Sequence, residues 1–212
     1  MDLERCPYIV VEGVIGAGKT TLARKLAEHL RAATLLEQPE TNPFLSKFYQ
    51  DPARYALPAQ LSFLLQRVEQ LGQLQQLDMF ASHAVSDYLL AKDLLFAELN
   101  LNDEELRLYR AIYQLYAPKA PTPDLVIYLQ TPVAIALQRI QQRGNSYEAG
   151  MSEAYLRRLG DSYSRFFHGY EDAPLLIVNA ANLNFVDSAE DFELLLQCTK
   201  QMRGRREFFS KG

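Results

Sequence analysis

Lys19 and Thr20 close the stretch Gly13-Val14-Ile15-Gly16-Ala17-Gly18-Lys19-Thr20, which fits the anion-loop pattern G-x-x-x-x-G-K-[ST] without a mismatch. Residues of these types at this spacing bind phosphate. Successive backbone N–H groups wrap an anion at a helix N-terminus, where the helix dipole adds to the attraction. Lys19 would reach the β- and γ-phosphates of a nucleoside triphosphate, and the Thr20 hydroxyl would ligate Mg²⁺. Gly13, Gly16, Ala17, Gly18, Lys19, Thr20 and Thr21 are therefore the candidate nucleotide-binding residues. Two acids, Glu37 and Asp87, each follow a short apolar run. Carboxylates converging on a triphosphate point to phosphoryl transfer, with one carboxylate near Mg²⁺ and another as proton acceptor. That reaction needs positioning, a base and positive charge on the moving group. The charge is expected from Lys19 and from Arg139 and Arg143, which lie four apart on one helical face before Gly144. Standing alone, two arginines at a helix end would compensate the dipole; beside a phosphate loop they become candidate charge stabilisers.

The elements that must position these residues can be traced along the chain. Ahead of the glycine loop, Tyr8-Ile9-Val10-Val11 is apolar and β-branched, as expected of a buried parallel strand. Behind it, Leu22, Leu26 and Leu30 fall four residues apart on one face of a helix spanning 19–31. Thr34-Leu35-Leu36 reads as a second strand ending at Glu37, and Ala84-Val85-Ser86 as a third ending at Asp87. Leu125-Val126-Ile127-Tyr128-Leu129 and Leu175-Leu176-Ile177-Val178 complete a series of five. Helical patterns run over 61–77, 104–117, 132–143, 153–167 and 189–202, with Pro132 suited to a first helical turn. Alternating strands and helices predict an α/β fold with a five-stranded parallel sheet covered by helices on both faces. Ligands of such sheets bind beyond the carboxyl ends of the strands, where the loop, Glu37 and Asp87 all fall.

The 212 residues carry no repeat or linker and suit a single domain over 1–212. A net charge of −4 argues against nucleic acid or an anionic membrane as partner. Cys6 and Cys198 have no metal-like spacing and read as reduced thiols of a cytoplasmic protein. The first strand begins almost at once, leaving no room for a signal peptide, and no apolar run approaches the roughly 20 residues that span a bilayer. The basic cluster Arg203-Gly204-Arg205-Arg206 reads as a solvated helix end.

From the glycine loop to the last helix the chain resembles the deoxynucleoside kinases, in particular their bacterial deoxyadenosine/deoxyguanosine kinase branch. The resemblance rests on the loop, on Glu37-Gln38-Pro39-Glu40-Thr41-Asn42-Pro43-Phe44-Leu45, on Phe48-Tyr49-Gln50-Asp51-Pro52, and on Gln60 to Arg67. It implies a P-loop kinase fold with an arginine-bearing lid near 143–150. It also implies ATP-dependent phosphorylation of a deoxyribonucleoside 5′-hydroxyl, with Mg²⁺, and a purine leaning that leaves deoxycytidine open. Glu37 stands where the family carries its general base, with Lys19, Arg139 and Arg143 as the other catalytic residues. Tyr49 and the lid residue Glu148 match the pair that grips the sugar 3′-hydroxyl. Gln60 matches the amide that reads the nucleobase, Arg67 a base-pocket arginine, and Phe63 either stacks on the base or packs in the core. Thr20 and Asp87 fall to the metal. A homodimer through the helices at 61–77 and 104–117 is implied as well.

The chain departs from the family in three places. The acid-arginine-serine motif reads Asp87-Tyr88-Leu89, so Tyr88 replaces the arginine, and Lys92, one turn on, is the candidate replacement charge. Asp93 lies within one residue of the family's base-reading aspartate; Asn145 replaces a third lid arginine, and Gln38 a proline. Thymidylate kinase, with a similar loop and a strand like Pro123 to Leu129, is the alternative, but the arginines it needs for an acceptor phosphate are not evident. A nucleotide switch would need an Asn-Lys-x-Asp motif, which is absent, and a non-catalytic module would have no use for Glu37.

Overall fold

The computed structural model describes residues 1–77, 83–117, 120–185 and 188–211. Its centre is β1 (Tyr8–Gly13), six residues buried on both faces, which is why an apolar run rather than an alternating one encodes it. β1 pairs in parallel with β3 (Ala84–Ser86) on one side and β4 (Leu125–Gln130) on the other. With β2 (Ala33–Leu35), β5 (Leu175–Asn179) and β6 (Arg206–Ser210) the order is β2-β3-β1-β4-β5-β6. All the pairings are parallel. The chain leaves β1 toward β2 and later returns to β4 on its other flank, so the topology switches at the carboxyl end of β1. Ligand crevices open at such points.

The sixth strand corrects the expected five, and with it the reading of the basic cluster. α8 (Ala189–Gln201) ends at Met202, and the N–H groups of Arg203 and Gly204 then donate to Glu207 Oε1. Arg206 Nη1 and Nη2 donate to the His168 and Tyr170 carbonyls at 2.6 Å, and Arg205 Nη2 donates to Glu171 O. These arginines turn the chain and satisfy carbonyls at and just beyond the C-terminus of α7 (Glu153–His168). The edge strand buries neither face fully, and five residues of weak alternation gave its pattern little contrast.

Helices carry most of the candidate site residues into place. α1 (Lys19–Leu30) starts where the glycine loop ends. α3 (Pro52–Leu77) begins nine residues before the apolar pattern becomes regular and runs through Pro58, so Gln60 sits inside the helix. α4 (Lys92–Asn100) and the short α2 (Leu45–Gln50) were not foreseen. α5 (Asp103–Tyr116) opens with a capping box between Asn102 and Glu105. α6 (Val133–Arg143) follows β4, with Pro132 as its N-cap. Among the described residues, no helix is long and apolar enough to cross a membrane.

The loop after β1 demands glycine at one point above all. Gly16 has φ +83°, and a Cβ there would lie 2.5 Å from the Ala136 carbonyl oxygen in α6. The strain and the clash act together. Gly16→Ala is expected to cost about 2 kcal/mol, lowering Tm by roughly 4–8 °C. It should also weaken nucleoside triphosphate binding by about tenfold or more as the loop N–H groups are displaced. Thermal unfolding and calorimetric titration check both.

Candidate active site

Two clefts share the phosphate loop. The first is lined by Lys19 and Thr20 from α1, by Glu37 and Asp87 at the ends of β2 and β3, and by Tyr49, Gln60, Phe63, Arg67, Lys92 and Glu148. The second, on the other side of the loop, is lined by Gly16, Ala17, Gly18, Thr21, Arg139 and Arg143, with residues 181–185 opposite. Gly16 and Arg143 line both. The structure therefore brings every candidate residue but one to a cleft. Gly13 lines neither; it lies beneath the loop, and its N–H donates to Glu12 Oε2 at 3.1 Å.

Glu37 is the electrostatic centre of the first cleft. Arg67 Nε donates to Glu37 Oε1 at 2.9 Å, its Nη2 reaches the same oxygen, and Lys92 Nζ lies 3.0 Å from Oε2. Burial alone would raise the Glu37 carboxyl, but Arg67, Lys92 and Lys19 outweigh it and hold the group well below the usual carboxylate range. Arg67 is itself buried. It also pairs with Asp93, and its guanidinium carbon lies 5.0 Å from the Phe63 ring centroid and 5.8 Å from that of Tyr88. Tyr88, found where the family pattern has an arginine, is fully buried and supports the arginine that does reach the carboxylate. Phe63 lines the cleft and packs on Arg67.

Asp87 ties the two strand ends together. Its Oδ1 accepts from the Glu37 backbone N–H at 2.8 Å and its Oδ2 from the Thr20 hydroxyl at 2.5 Å. Burial, then the neighbouring Glu37 charge, push the Asp87 carboxyl upward. Among the described residues, no group of three or more His, Cys, Asp or Glu side chains could hold a metal by itself. One hydroxyl and one carboxylate are instead the hard-oxygen share a protein gives to Mg²⁺ when phosphates and waters complete the octahedron. Lys19, half-buried beside them, is held by the Val14 carbonyl at 3.2 Å, and burial followed by the charge of Lys92 lowers its pKa.

The segment 143–150 borders the clefts, with Arg143 at both and Tyr147 and Glu148 at the first. α6 ends at Gly144, whose φ of +65° turns the chain sharply into the 3-10 turn Ser146–Glu148. Arg143 Nη2 pairs with Glu148 Oε1, while Glu148 Oε2 is buried without a hydrogen-bond partner. Glu148 and Tyr49 face the same cleft, and burial raises the Tyr49 phenol well above its usual value. Arg139 lies in the second cleft and donates to the Ala17 carbonyl at 3.2 Å.

Glu12 was missed. It is wholly buried, and Oε1 accepts from the Leu89 N–H at 2.6 Å and lies 3.4 Å from Lys92 Nζ, while Oε2 accepts from the Tyr163 hydroxyl at 3.1 Å. The signal was a charged residue closing an otherwise apolar strand, immediately before the glycine loop.

An enzyme that moves a phosphoryl group between two bound molecules needs one phosphate loop reached from two sides, with a carboxylate on the side of the incoming hydroxyl. That is the class the fold and clefts define, a P-loop phosphotransferase. The family model for deoxynucleoside kinases matches residues 9–202, and the chain belongs to the deoxynucleoside kinase family. It is 31% identical to a deoxyguanosine kinase of Bacillus subtilis over 207 residues, covering 94% of this chain and 99% of the relative. It is 30% identical to a deoxyadenosine kinase of Lactobacillus acidophilus over 210 residues, covering 92% and 96%. Among solved structures it is similar to the deoxyadenosine kinase of M. mycoides with the products dCMP and a flexible dCDP bound, with a TM-score of 0.80 and 25% identity over 92% of this chain and 100% of the other. The same enzyme with dATP bound gives a TM-score of 0.78 at 26% identity, again over 92% and 100%. The protein is thus a nucleotide-binding kinase acting on deoxynucleosides, and the family match decides against thymidylate kinase.

Because the Glu37 pKa is lower folded than unfolded, its ionisation stabilises the fold above the ordinary carboxylate pKa near 4.3, and that stability is lost as pH falls toward the folded value. The wild-type Tm should therefore fall between about pH 5 and 3, and Glu37→Gln should flatten that slope. Thermal unfolding across the range is the check; identical slopes in both proteins would refute the coupling.

Proposed function

We propose that the protein transfers the γ-phosphoryl group of ATP to the 5′-hydroxyl of a purine deoxyribonucleoside, deoxyadenosine or deoxyguanosine, with deoxycytidine as a secondary acceptor. The nucleoside takes the first cleft and ATP the second. The observation that carries this reading is the carboxylate of Glu37, buried beside Lys19 and Thr20 on the acceptor side of the loop with both oxygens held in place. The purine preference is supported by the deoxyguanosine and deoxyadenosine kinases to which the chain is similar, and the wider tolerance by the dCMP bound to the M. mycoides enzyme.

Glu37 accepts the proton of the 5′-hydroxyl. Its low pKa makes it a weak base, yet phosphoryl transfer passes through a loose transition state in which placing the nucleophile matters more than basicity. Oε1 is occupied by two Arg67 N–H donors, so it is Oε2, with Lys92 as its one cationic partner, that keeps a lone pair with which to orient the hydroxyl. Lys19, Arg139 and Arg143 stabilise charge on the transferring group, and Lys92 supplies from α4 the charge that the missing arginine would have brought. Thr20 and Asp87 hold Mg²⁺, which neutralises phosphate charge when bound. Tyr49 and the unpartnered oxygen of Glu148 take the sugar 3′-hydroxyl, and Gln60 reads the base edge. Gly16, Ala17, Gly18 and Thr21 form the ATP side, with Gly13 supporting the loop from beneath, under a lid at 143–150 of a single kinase domain. A cytoplasmic homodimer completes the reading. It is supported by two free cysteines and by exposed Leu65 on α3 with Leu108 and Leu115 on α5.

Glu37→Gln should lower kcat by roughly 10²–10⁴-fold with ATP affinity nearly unchanged, since only the proton acceptor is lost. Near-wild-type turnover would refute the assignment. A kcat/KM panel over the four deoxynucleosides and dTMP should rank the two purines first. Turnover with dTMP alone would overturn the proposed substrate class.

A further inference from the structure

A carboxylate with no exposure, set among apolar strand residues, loses its water and must be matched by partners within the protein. Glu12 is such a group, and no step of the reaction proposed above uses it. Its two oxygens are fully engaged by four partners from four places in the chain: the Gly13 N–H of the phosphate loop, the Leu89 N–H after β3, Lys92 at the start of α4, and the Tyr163 hydroxyl of α7. Of these, only Lys92 carries charge, and Lys92 is also the cation on Glu37 Oε2. The ammonium therefore bridges two carboxylates, 3.4 Å from one and 3.0 Å from the other, with only 2% of its side chain exposed.

Lysine needs such a bridge where arginine would not. A guanidinium fork fixes its own orientation on a carboxylate through two parallel hydrogen bonds, whereas an ammonium is a point charge on a four-carbon stem with nothing to set its angle. With Tyr88 in the arginine position and the cation arriving from one turn further on, a second carboxylate is required to hold Lys92 at one distance from Glu37. We infer that Glu12 is a positioning residue for the transfer reaction: it anchors Lys92 against Glu37 and ties that distance to the phosphate loop through Gly13. Without it, Lys92 would collapse onto Glu37 and compete with the incoming hydroxyl for Oε2. The inference rests on the reading of Glu37 as proton acceptor.

The test is a double-mutant cycle on the full chain. Glu12→Gln keeps the shape of the side chain and removes its charge; kcat should fall by about 10–100-fold, the usual cost of a small misplacement, while the nucleoside KM and the ATP Kd stay within about threefold. In the Lys92→Met background the same substitution should cost nothing further, because the anchored group is gone. Losses that multiply across the two sites, or that fall on KM or Kd, would mark Glu12 as a structural brace and overturn the inference. Should the charge variants fail to fold, Tyr163→Phe keeps every charge and deletes one hydrogen bond to Glu12. It should lower kcat about threefold or more at unchanged KM, and wild-type kcat would overturn the inference. Glu37→Gln run alongside separates the two readings: if it turns over normally, the base assignment fails. If it is slow while Glu12→Gln is not, only the role of Glu12 falls.

Discussion

The carboxylate of Glu37 held between Arg67 and Lys92 is the interaction on which the site depends. Three elements that are distant in sequence deliver the parts: the end of β2, the middle of α3 and the first residue of α4. Such a cluster is a poor way to stabilise a fold, because well-packed apolar side chains of the same volume would do as well or better. Its geometry is kept by further pairings, Arg67 to Asp93 and Lys92 to Glu12, so that each cation is shared by two acids. The fold around it can be seen as the means of bringing these groups together with water largely excluded, which strengthens each of them.

The sheet places this cluster by a simple rule. β1 and its loop lie between β3 and β4, and the acids that follow β2 and β3 lean over the same edge. Asp87 then joins them, taking the backbone N–H of Glu37 on one oxygen and the Thr20 hydroxyl on the other. One side chain thus sets the spacing between the start of Glu37 and the first turn of α1. That spacing is what an in-line displacement between two bound molecules must control.

Much of this was legible before any coordinates. β1 and the four further strands foreseen are short apolar runs, the first three ending at the glycine loop, Glu37 and Asp87, and the loop pattern names its own neighbours. What escaped reading did so for physical reasons. β6 packs against one neighbour only and lacks the contrast of a core strand. α4 has apolar residues on most sides because it is wedged between α3, α5 and α7, so no single stripe marks it. The start of α3, Pro52-Ala53-Arg54, is exposed and carries no apolar stripe, so a regular pattern emerged only from Leu61. At the level of residue types Tyr88 read only as a missing arginine whose charge Lys92 could replace. Its meaning, a ring beneath Arg67, exists only in three dimensions.

One contact described for the loop has a mechanical consequence. The backbone of Gly16 rests against the Ala136 carbonyl of α6 with no side chain between them. Arg139 and Arg143 project from the same helix, one and two turns farther along. Their distance from the loop is therefore gauged from main chain to main chain, as with a ruler whose zero is the loop itself. Beyond Gly144 the chain is held differently, by the pairing of Glu148 with Arg143 and by the close approach of Gly150 to Tyr49, where a Cβ would lie 2.9 Å from the tyrosine Cβ.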